Sequence, residues 1–325
     1  MRLVMLGTGP FAVPTFRALY PTKHDVVALV TAPPRCHRGR AIEPISCLRD
    51  LAEQHRTPIF DPDQINAPEA IERLASFRAD LLVACDYGQI LSAAALAQAR
   101  WGGVNLHAAL LPKYRGAAPI NWAIYHGETE TGLTVIHMSP QLDAGPCIAQ
   151  VRTAIEPDET ADQLEARLAE LGTPLVLQAI DALATGSAEE LPQDPTQAGK
   201  APRLKKTDGL IVWNRPAAAI KNHVRAMEPW PRTYTFLHHA AEAPVRLILG
   251  PLAVVESPLA DHPPGTVLEA AGSRLVITAG ADAVMPLSIQ PAGKRPMHVD
   301  EFLRGHRIQP GDRFGPESIP APRPT

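Results

Sequence analysis

Short apolar runs alternate with helical patterns through the first half of the chain. Leu3–Leu6, Val26–Thr31, Pro58–Phe60, Leu81–Ala84 and Val104–Leu106 read as strands. Phe11–Tyr20, Ile45–His55, Ala67–Phe77, Ala93–Ala99 and Pro119–His126 read as helices, the first opened by Pro10. Strands that are apolar throughout and separated by helices predict a parallel sheet covered on both faces. Leu133–Met138 and Ile148–Thr153 follow with no helix between them, which predicts an antiparallel addition at the sheet edge. The longest helical pattern runs from Thr160 to Ala184, with Thr160 and Gln163 spaced as a capping box and Leu164, Leu168, Leu171 and Leu175 on one face.

The pattern then changes. From Thr185 to Pro202 the chain is polar and rich in Pro, Gln, Ala and Gly, and reads as a linker. Beyond it, Val245–Leu249, Leu252–Val255, Thr266–Glu269, Leu275–Ile277 and Met285–Ile289 are short strands punctuated by Gly and Pro, the mark of a small β-barrel. The expected architecture is α/β: a doubly wound, mainly parallel, Rossmann-type sheet over residues 1–188 and a linker at 189–206. A small OB-like β-barrel over 207–318 and a tail at 319–325 complete it.

Composition leaves this reading intact, with 45% hydrophobic and 20% charged residues among 325. Charge adds something. Residues 1–199 hold 15 Lys and Arg against 23 Asp and Glu, a net −8, whereas residues 200–325 hold 16 against 11, a net +5. A basic C-terminal part suits a polyanionic partner, although ordinary halves also differ by several charges. Cys36, Cys47, Cys85 and Cys147 contain no C-x-x-C pair, which argues against a disulfide framework or a cysteine zinc site and fits a reducing cytoplasm. No apolar run approaches the roughly 18 residues of a membrane span, and the N-terminus reads as a first strand, not a signal peptide.

Gly7-x-Gly9-x-x-Ala12 follows a strand and opens a helix, as a dinucleotide-binding turn does. Pro10 removes an N–H from that turn, and the second strand ends at Val30-Thr31-Ala32 with no acid to hold a ribose, so nicotinamide binding is not expected. Chemistry concentrates further on. Asn105 and His107 share one side of a strand at its carboxyl end, where α/β folds place ligands, and Asp143 sits in a Gly-containing loop after a later strand. These three types suit acyl transfer to an amine. An amide donates to the developing oxyanion, an imidazole moves the surplus proton, and a carboxylate orients the imidazole. By spacing alone, an Asn-x-His pair is equally compatible with a satisfied strand end, and a lone Asp with a loop cap. The adjacent His238-His239 reads as an exposed pair with no metal, and Trp230, between two prolines, reads as packing.

Asn105-x-His107, Leu110-Leu111-Pro112 with Arg115-Gly116-Ala117-Ala118-Pro119, and Leu142-Asp143-x-Gly145 together resemble the folate-dependent formyltransferase family. The resemblance extends almost end to end. Gly7-Thr8-x-x-Phe11-Ala12 resembles the family's first loop. Pro202-x-Leu204-Lys205-Lys206-x-Asp208-Gly209, Arg225-Ala226-x-x-Pro229-Trp230-Pro231 and Gln290-Pro291-Ala292-Gly293-Lys294-Arg295 resemble its tRNA-directed members. It implies transfer of a formyl group from the co-substrate 10-formyltetrahydrofolate to the amino group of methionyl initiator tRNA, by a cytoplasmic monomer that uses no metal and no membrane. It implies Asn105, His107 and Asp143 as catalytic residues. It implies Asp86, Tyr87, Gly88, Gln89, Ile90 and Leu91, with Leu110, Leu111 and Pro112, as the folate pocket. Arg38 and Arg40, in a basic loop after the second strand, and Lys205, Lys206, Lys294 and Arg295 are the implied tRNA contacts. The chain departs from the family pattern at Gly9-Pro10, Asp86, Ser92 and Ala144. A formyltransferase for another amine, a hydrolase of the same folate and a catalytically inactive tRNA-binding module remain as alternatives.

Overall fold

The computed structural model describes residues 1–34, 47–239, 243–256 and 262–318, with the backbone alone at 36–37 and 40–41. The chain divides into two compact units. The first comprises Met1–Ile120, Glu130–Ile155 and Gln163–Arg203, and the second Asn121–Thr129, Glu156–Asp162 and Leu204–Thr325. Residues 121–129 and 156–162, inside the expected first domain, thus group with the second unit.

The first unit holds strands β1 (Arg2–Leu6), β2 (Asp25–Val30), β3 (Cys36–His37), β4 (Arg40–Ala41), β5 (Ile59–Phe60), β6 (Leu81–Ala84) and β7 (Gly103–His107). It continues with β8 (Arg115–Gly116), β9 (Glu130–His137), β10 (Cys147–Ala154) and β11 (Lys200–Ala201). Seven of these form one sheet in the order β10-β9-β7-β6-β1-β2-β5. The strands from β7 to β5 are mutually parallel, while β9 and β10 add antiparallel at the edge, as the missing helix between them predicts. From β1 the chain proceeds to β2 and β5 on one side and returns to β6 and β7 on the other. The order therefore reverses between β1 and β6, which opens a crevice beyond their carboxyl ends.

Burial explains the strands. Leu3, Val4, Met5 and Leu6 of β1 and all four residues of β6 are buried, each large side chain contributing about 2 kcal/mol. Helices α1 (Val13–Leu19), α2 (Cys47–Gln54), α3 (Pro68–Ser76), α4 (Ala93–Leu96), α5 (Pro119–His126) and α6 (Ala161–Thr185) follow the predicted places. The α-helix expected over Ala93–Ala99 ends at Leu96, and Ser92 caps its start by accepting a hydrogen bond from the Ala95 N–H at 3.2 Å. Within the first unit α6 buries Leu164, Leu168, Leu175, Val176 and Ile180, while Leu171 is half-buried.

In the second unit, α7 (Ala217–Ala226) precedes β12 (Tyr234–His238), β13 (Val245–Leu249), β14 (Leu252–Val255), β15 (Val267–Ala271) and β16 (Arg274–Thr278). After them come β17 (Ala283–Pro286), β18 (Ser288–Pro291), β19 (Met297–His298), α8 (Val299–Gly305) and β20 (Arg313–Gly315). The strands form two antiparallel sheets, β19-β18-β13-β12-β20 and β14-β17-β16-β15, joined by a Thr266–Arg313 bridge. Met285–Ile289, expected as one strand, breaks at exposed Leu287. The chain there leaves one sheet for the other, β17 pairing with β14 and β16, and β18 with β13. Trp213, Ile220, Leu247, Leu275, Phe302 and Phe314 fill the core, and the Trp213 indole N–H donates to Thr235 Oγ1 at 2.9 Å.

Two sequence expectations need correction. Trp230 is 49% exposed, not packed inside. His238 and His239 are half-buried, not exposed. His238 Nε2 donates to the Pro316 carbonyl at 2.8 Å, and His239 Nδ1 lies 3.2 Å from Asp312 Oδ2. Among the described residues no helix is long and apolar enough to cross a membrane, and no cluster of three His, Cys, Asp or Glu groups is placed to hold a metal ion.

Candidate active site

Strand β7 ends in Asn105-Leu106-His107, and its alternation puts Asn105 and His107 on one face about 7 Å apart. The His107 Nε2–H donates to the Tyr114 carbonyl at 2.9 Å. A carbonyl only accepts, so the proton of neutral His107 resides on Nε2 and Nδ1 carries the lone pair. That Nδ1 faces Asp143 Oδ2 at 3.6 Å, longer than a hydrogen bond. The same Oδ2 accepts the Gly116 backbone N–H at 2.9 Å. Both side chains are nearly enclosed, His107 at 5% and Asp143 at 11% exposure. Asn105 is half-buried, and its amide carries no hydrogen bond among the described residues. The structure therefore brings His107 and Asp143 face to face and leaves an unengaged amide on the same strand face.

Residues that sequence reasoning passed over hold this arrangement. Thr134 of β9 pairs opposite His107, and its hydroxyl donates to the Ala109 carbonyl at 2.7 Å while accepting from the Leu111 N–H at 3.1 Å. Gln150 of β10, opposite Thr134, donates to Thr134 Oγ1 and to the Leu111 carbonyl. One row across three strands thus fixes the segment 109–111 that follows β7. Nothing local distinguishes Thr134 or Gln150 from ordinary strand residues; only the register exposes their role.

The segment 86–91 behaves residue by residue. Tyr87 and Leu91 are buried in the core beside Leu82 and Ala95, and burial pushes the Tyr87 hydroxyl pKa up. Gln89 turns inward, its Oε1 accepting the Ile65 N–H at 2.9 Å. Their side chains serve the fold, which leaves backbone, the open Gly88 and the 51% exposed Ile90 toward solvent. Leu110 and Pro112 are half-buried and Leu111 is buried. Next to this segment, the Cys85 thiol is pushed well up by complete burial and by the Asp86 charge, so it is no nucleophile.

Of the basic candidates, Arg38 lies outside the described residues, as does the side chain of Arg40; the backbone at Arg40–Ala41 pairs with Cys36–His37 as a small hairpin. Lys205, Lys206, Lys294 and Arg295 are all exposed in the second unit. Arg295 is ion-paired with Glu301, so its charge is partly matched within the chain.

The formyl transferase family matches residues 1–180, and the formyl transferase C-terminal domain family matches 203–307. The methionyl-tRNA formyltransferase of Rhodopirellula baltica is 41% identical over 97% of this chain and 96% of its own length. That of Methylococcus capsulatus is 39% identical over 97% and 100%. The chain belongs to the methionyl-tRNA formyltransferase family. Solved folds agree: an N-formyltransferase from Helicobacter canadensis superimposes with a TM-score of 0.66 at 15% identity, covering 89% of this chain and 98% of its own. The sugar 3N-formyl transferase WlaRD gives 0.62 at 16%, covering 91% and 99%.

Positions 9 and 86 meet in the structure. A Cβ at Gly9 would collide with Asp86 Oδ2, so glycine there makes room for the carboxylate. Asp86 takes a left-handed backbone, φ 51°, and its carbonyl accepts both the N–H and the hydroxyl of Thr8. The pair stands where β1 and β6 end, at the crevice of the sheet. Asp86 is exposed to water, yet neighbouring protein displaces part of its hydration. That crowding raises its pKa to about 6, with Arg203 opposing the rise.

Proposed function

We propose that this protein transfers the formyl group of 10-formyltetrahydrofolate to the amino group of methionyl initiator tRNA. The observation that carries the reading is the facing pair of His107 Nδ1 and Asp143 Oδ2 at 3.6 Å, one strand step from the unengaged amide of Asn105. The folate supplies an activated one-carbon unit. Exposed Ile90 and Gly88, with half-buried Leu110 and Pro112, offer apolar surface and backbone groups suited to a flat heteroaromatic ring.

In this reading Asn105 donates a hydrogen bond to the formyl oxygen as negative charge gathers there. His107 takes the amine's proton at Nδ1, its free nitrogen, and Asp143 steadies the imidazolium across the gap. His107 then returns the proton to the folate nitrogen as its bond to the formyl carbon breaks. One C–N bond forms, one breaks, and no side chain becomes covalently modified. Lys205, Lys206 and Lys294 would meet the RNA backbone as point charges, and the enzyme would act in the cytoplasm as a single chain. The domains would divide the labour, catalysis at 1–188 and RNA holding at 207–318, with Arg38 and Arg40 reaching the acceptor end.

The test is single-turnover formyl transfer with methionyl initiator tRNA against methionyl elongator tRNA. Rapid product with the first and little with the second is expected. Folate turnover as fast without an acceptor as with one would instead identify a hydrolase.

A further inference from the structure

The strongest unassigned feature lies in the polar stretch between the two matched family regions, 1–180 and 203–307. Gln193 is half-buried there. Its Nε2 donates to the Asp143 carbonyl at 2.9 Å and to the Gly145 carbonyl at 2.7 Å. Its Oε1 accepts from Arg115, Nε at 3.1 Å and Nη2 at 2.7 Å. The amide orientation is unambiguous, since the reverse would set an oxygen against two carbonyls and an NH2 against a guanidinium.

The two anchored segments are the two halves of the acid's surroundings. One carries Asp143 itself. The other is Arg115, whose neighbour Gly116 gives its N–H to Asp143 Oδ2 at 2.9 Å. Asp143 has φ 48°, a left-handed backbone that costs a non-glycine residue of order 1 kcal/mol and persists only where its surroundings over-determine it. Gly145 constrains the same turn from the far side, because a Cβ there would collide with the His137 carbonyl of β9. Below, Lys200–Ala201 pairs with Arg115–Gly116, so residues 193–201 bracket the second segment twice.

We infer that Gln193 is a positioning residue of the active site: its amide ties the Asp143 turn to the Arg115–Gly116 segment and so sets the carboxylate against His107. The inference rests on the proposed role of Asp143 as the carboxylate that steadies His107. It makes the expected linker a working part of the catalytic unit, not a tether.

The experiment compares the full chain with Gln193→Ala, Gln193→Glu, Asp143→Asn and the double variant Gln193→Ala/Asp143→Asn, reading kcat, both KM values and thermal unfolding. Gln193→Ala is expected to lower kcat about 10- to 100-fold, the scale of a misplaced catalytic group, with either KM moving less than about threefold. Gln193→Glu keeps the acceptor for Arg115 but loses the donor to the two carbonyls, and is expected to lose at least as much. It preserves volume and carries the comparison if the alanine variant does not fold. In the Asp143→Asn background, adding Gln193→Ala is expected to cost less than about twofold more, because both act through one carboxylate. A fully multiplicative loss, a loss confined to KM, or unchanged kcat beside an inactive Asp143→Asn overturns the role of Gln193 alone. An active Asp143→Asn overturns the role of the carboxylate, and this inference with it.

Discussion

His107 and His223 are both buried imidazoles, 5% and 2% exposed, and each directs Nε2 at a backbone carbonyl, of Tyr114 at 2.9 Å and of Asp208 at 2.6 Å. They differ at the other nitrogen. His107 Nδ1 looks at the Asp143 carboxylate, whereas His223 Nδ1 has no partner among the described residues. Burial drives the His223 pKa down to about 4; the Asp208 carbonyl opposes the fall and Arg215 adds to it. One residue type in two enclosed sites is therefore set against a carboxylate in one and left as a neutral packing element beside the Tyr125 ring in the other. A buried histidine says nothing about catalysis until the second nitrogen is accounted for.

The sharpest way to break the contrast is to make His107 resemble His223. Asp143→Asn keeps the shape of the acid and removes its charge. It is expected to lower kcat by about 100- to 10,000-fold, the range attributed to proton transfer by a positioned side chain, in steady-state formyl transfer. A loss under about tenfold would mean that the charge across the gap does not support the proposed proton transfer by His107.

A smaller effect sharpens the other side. His223 stays neutral in the folded chain down to about pH 4, while in the unfolded chain it takes a proton near its ordinary 6.5. Between those values the unfolded state binds more protons, so stability falls as pH falls, by about 1.4 kcal/mol per pH unit from this group. Denaturant unfolding at pH 7.5, 6 and 5 is expected to show that slope, and His223→Gln to flatten it while leaving kcat at pH 7.5 within about twofold. An unchanged slope would remove His223 as its source.

The smallest effect concerns Asp86, an acid that makes no ion pair among the described residues, with Arg203 acting on it only at a distance. Its folded pKa lies above the ordinary carboxylate value, so its ionisation costs stability as pH rises from about 4 through about 6. Asp86→Asn is expected to raise the unfolding midpoint at pH 7.5 and to leave it unchanged below pH 4. Because water reaches the group, the gain is expected to stay under about 1 kcal/mol. A destabilised Asp86→Asn would show that the carboxylate is held by a favourable contact.

Much of the first unit was legible because its cues are local. Fully apolar strands such as Leu81–Ala84 and the i, i+4 leucines of α6 state their environment within a few residues. In the second unit α7 and α8 escaped notice. Val299–Gly305 is too short to be stable alone, and it is helical because Val299 and Phe302 fill the core beneath it. In the site, Asn105, His107 and Asp143 stood out by type and motif, while Thr134, Gln150 and Gln193 did not. Gln193 in particular lies among Pro, Asp and Thr, a composition that signals loop and conceals four hydrogen bonds.

The order of residues along the chain by itself determined which strands would be buried, which strand end would present an amide and an imidazole, and which family the chain belongs to. Each of these depends on neighbours a few positions apart. The tertiary structure alone decided that the carboxylate faces Nδ1, that Asp86 lies against Gly9, and that Gln193 ties the Asp143 turn to Arg115. The bonds responsible span 27 residues from Gly116 to Asp143, 50 from Asp143 to Gln193 and 78 from Arg115 to Gln193. Such distant partners meet only after the sheet has set its register, so no local pattern announces them.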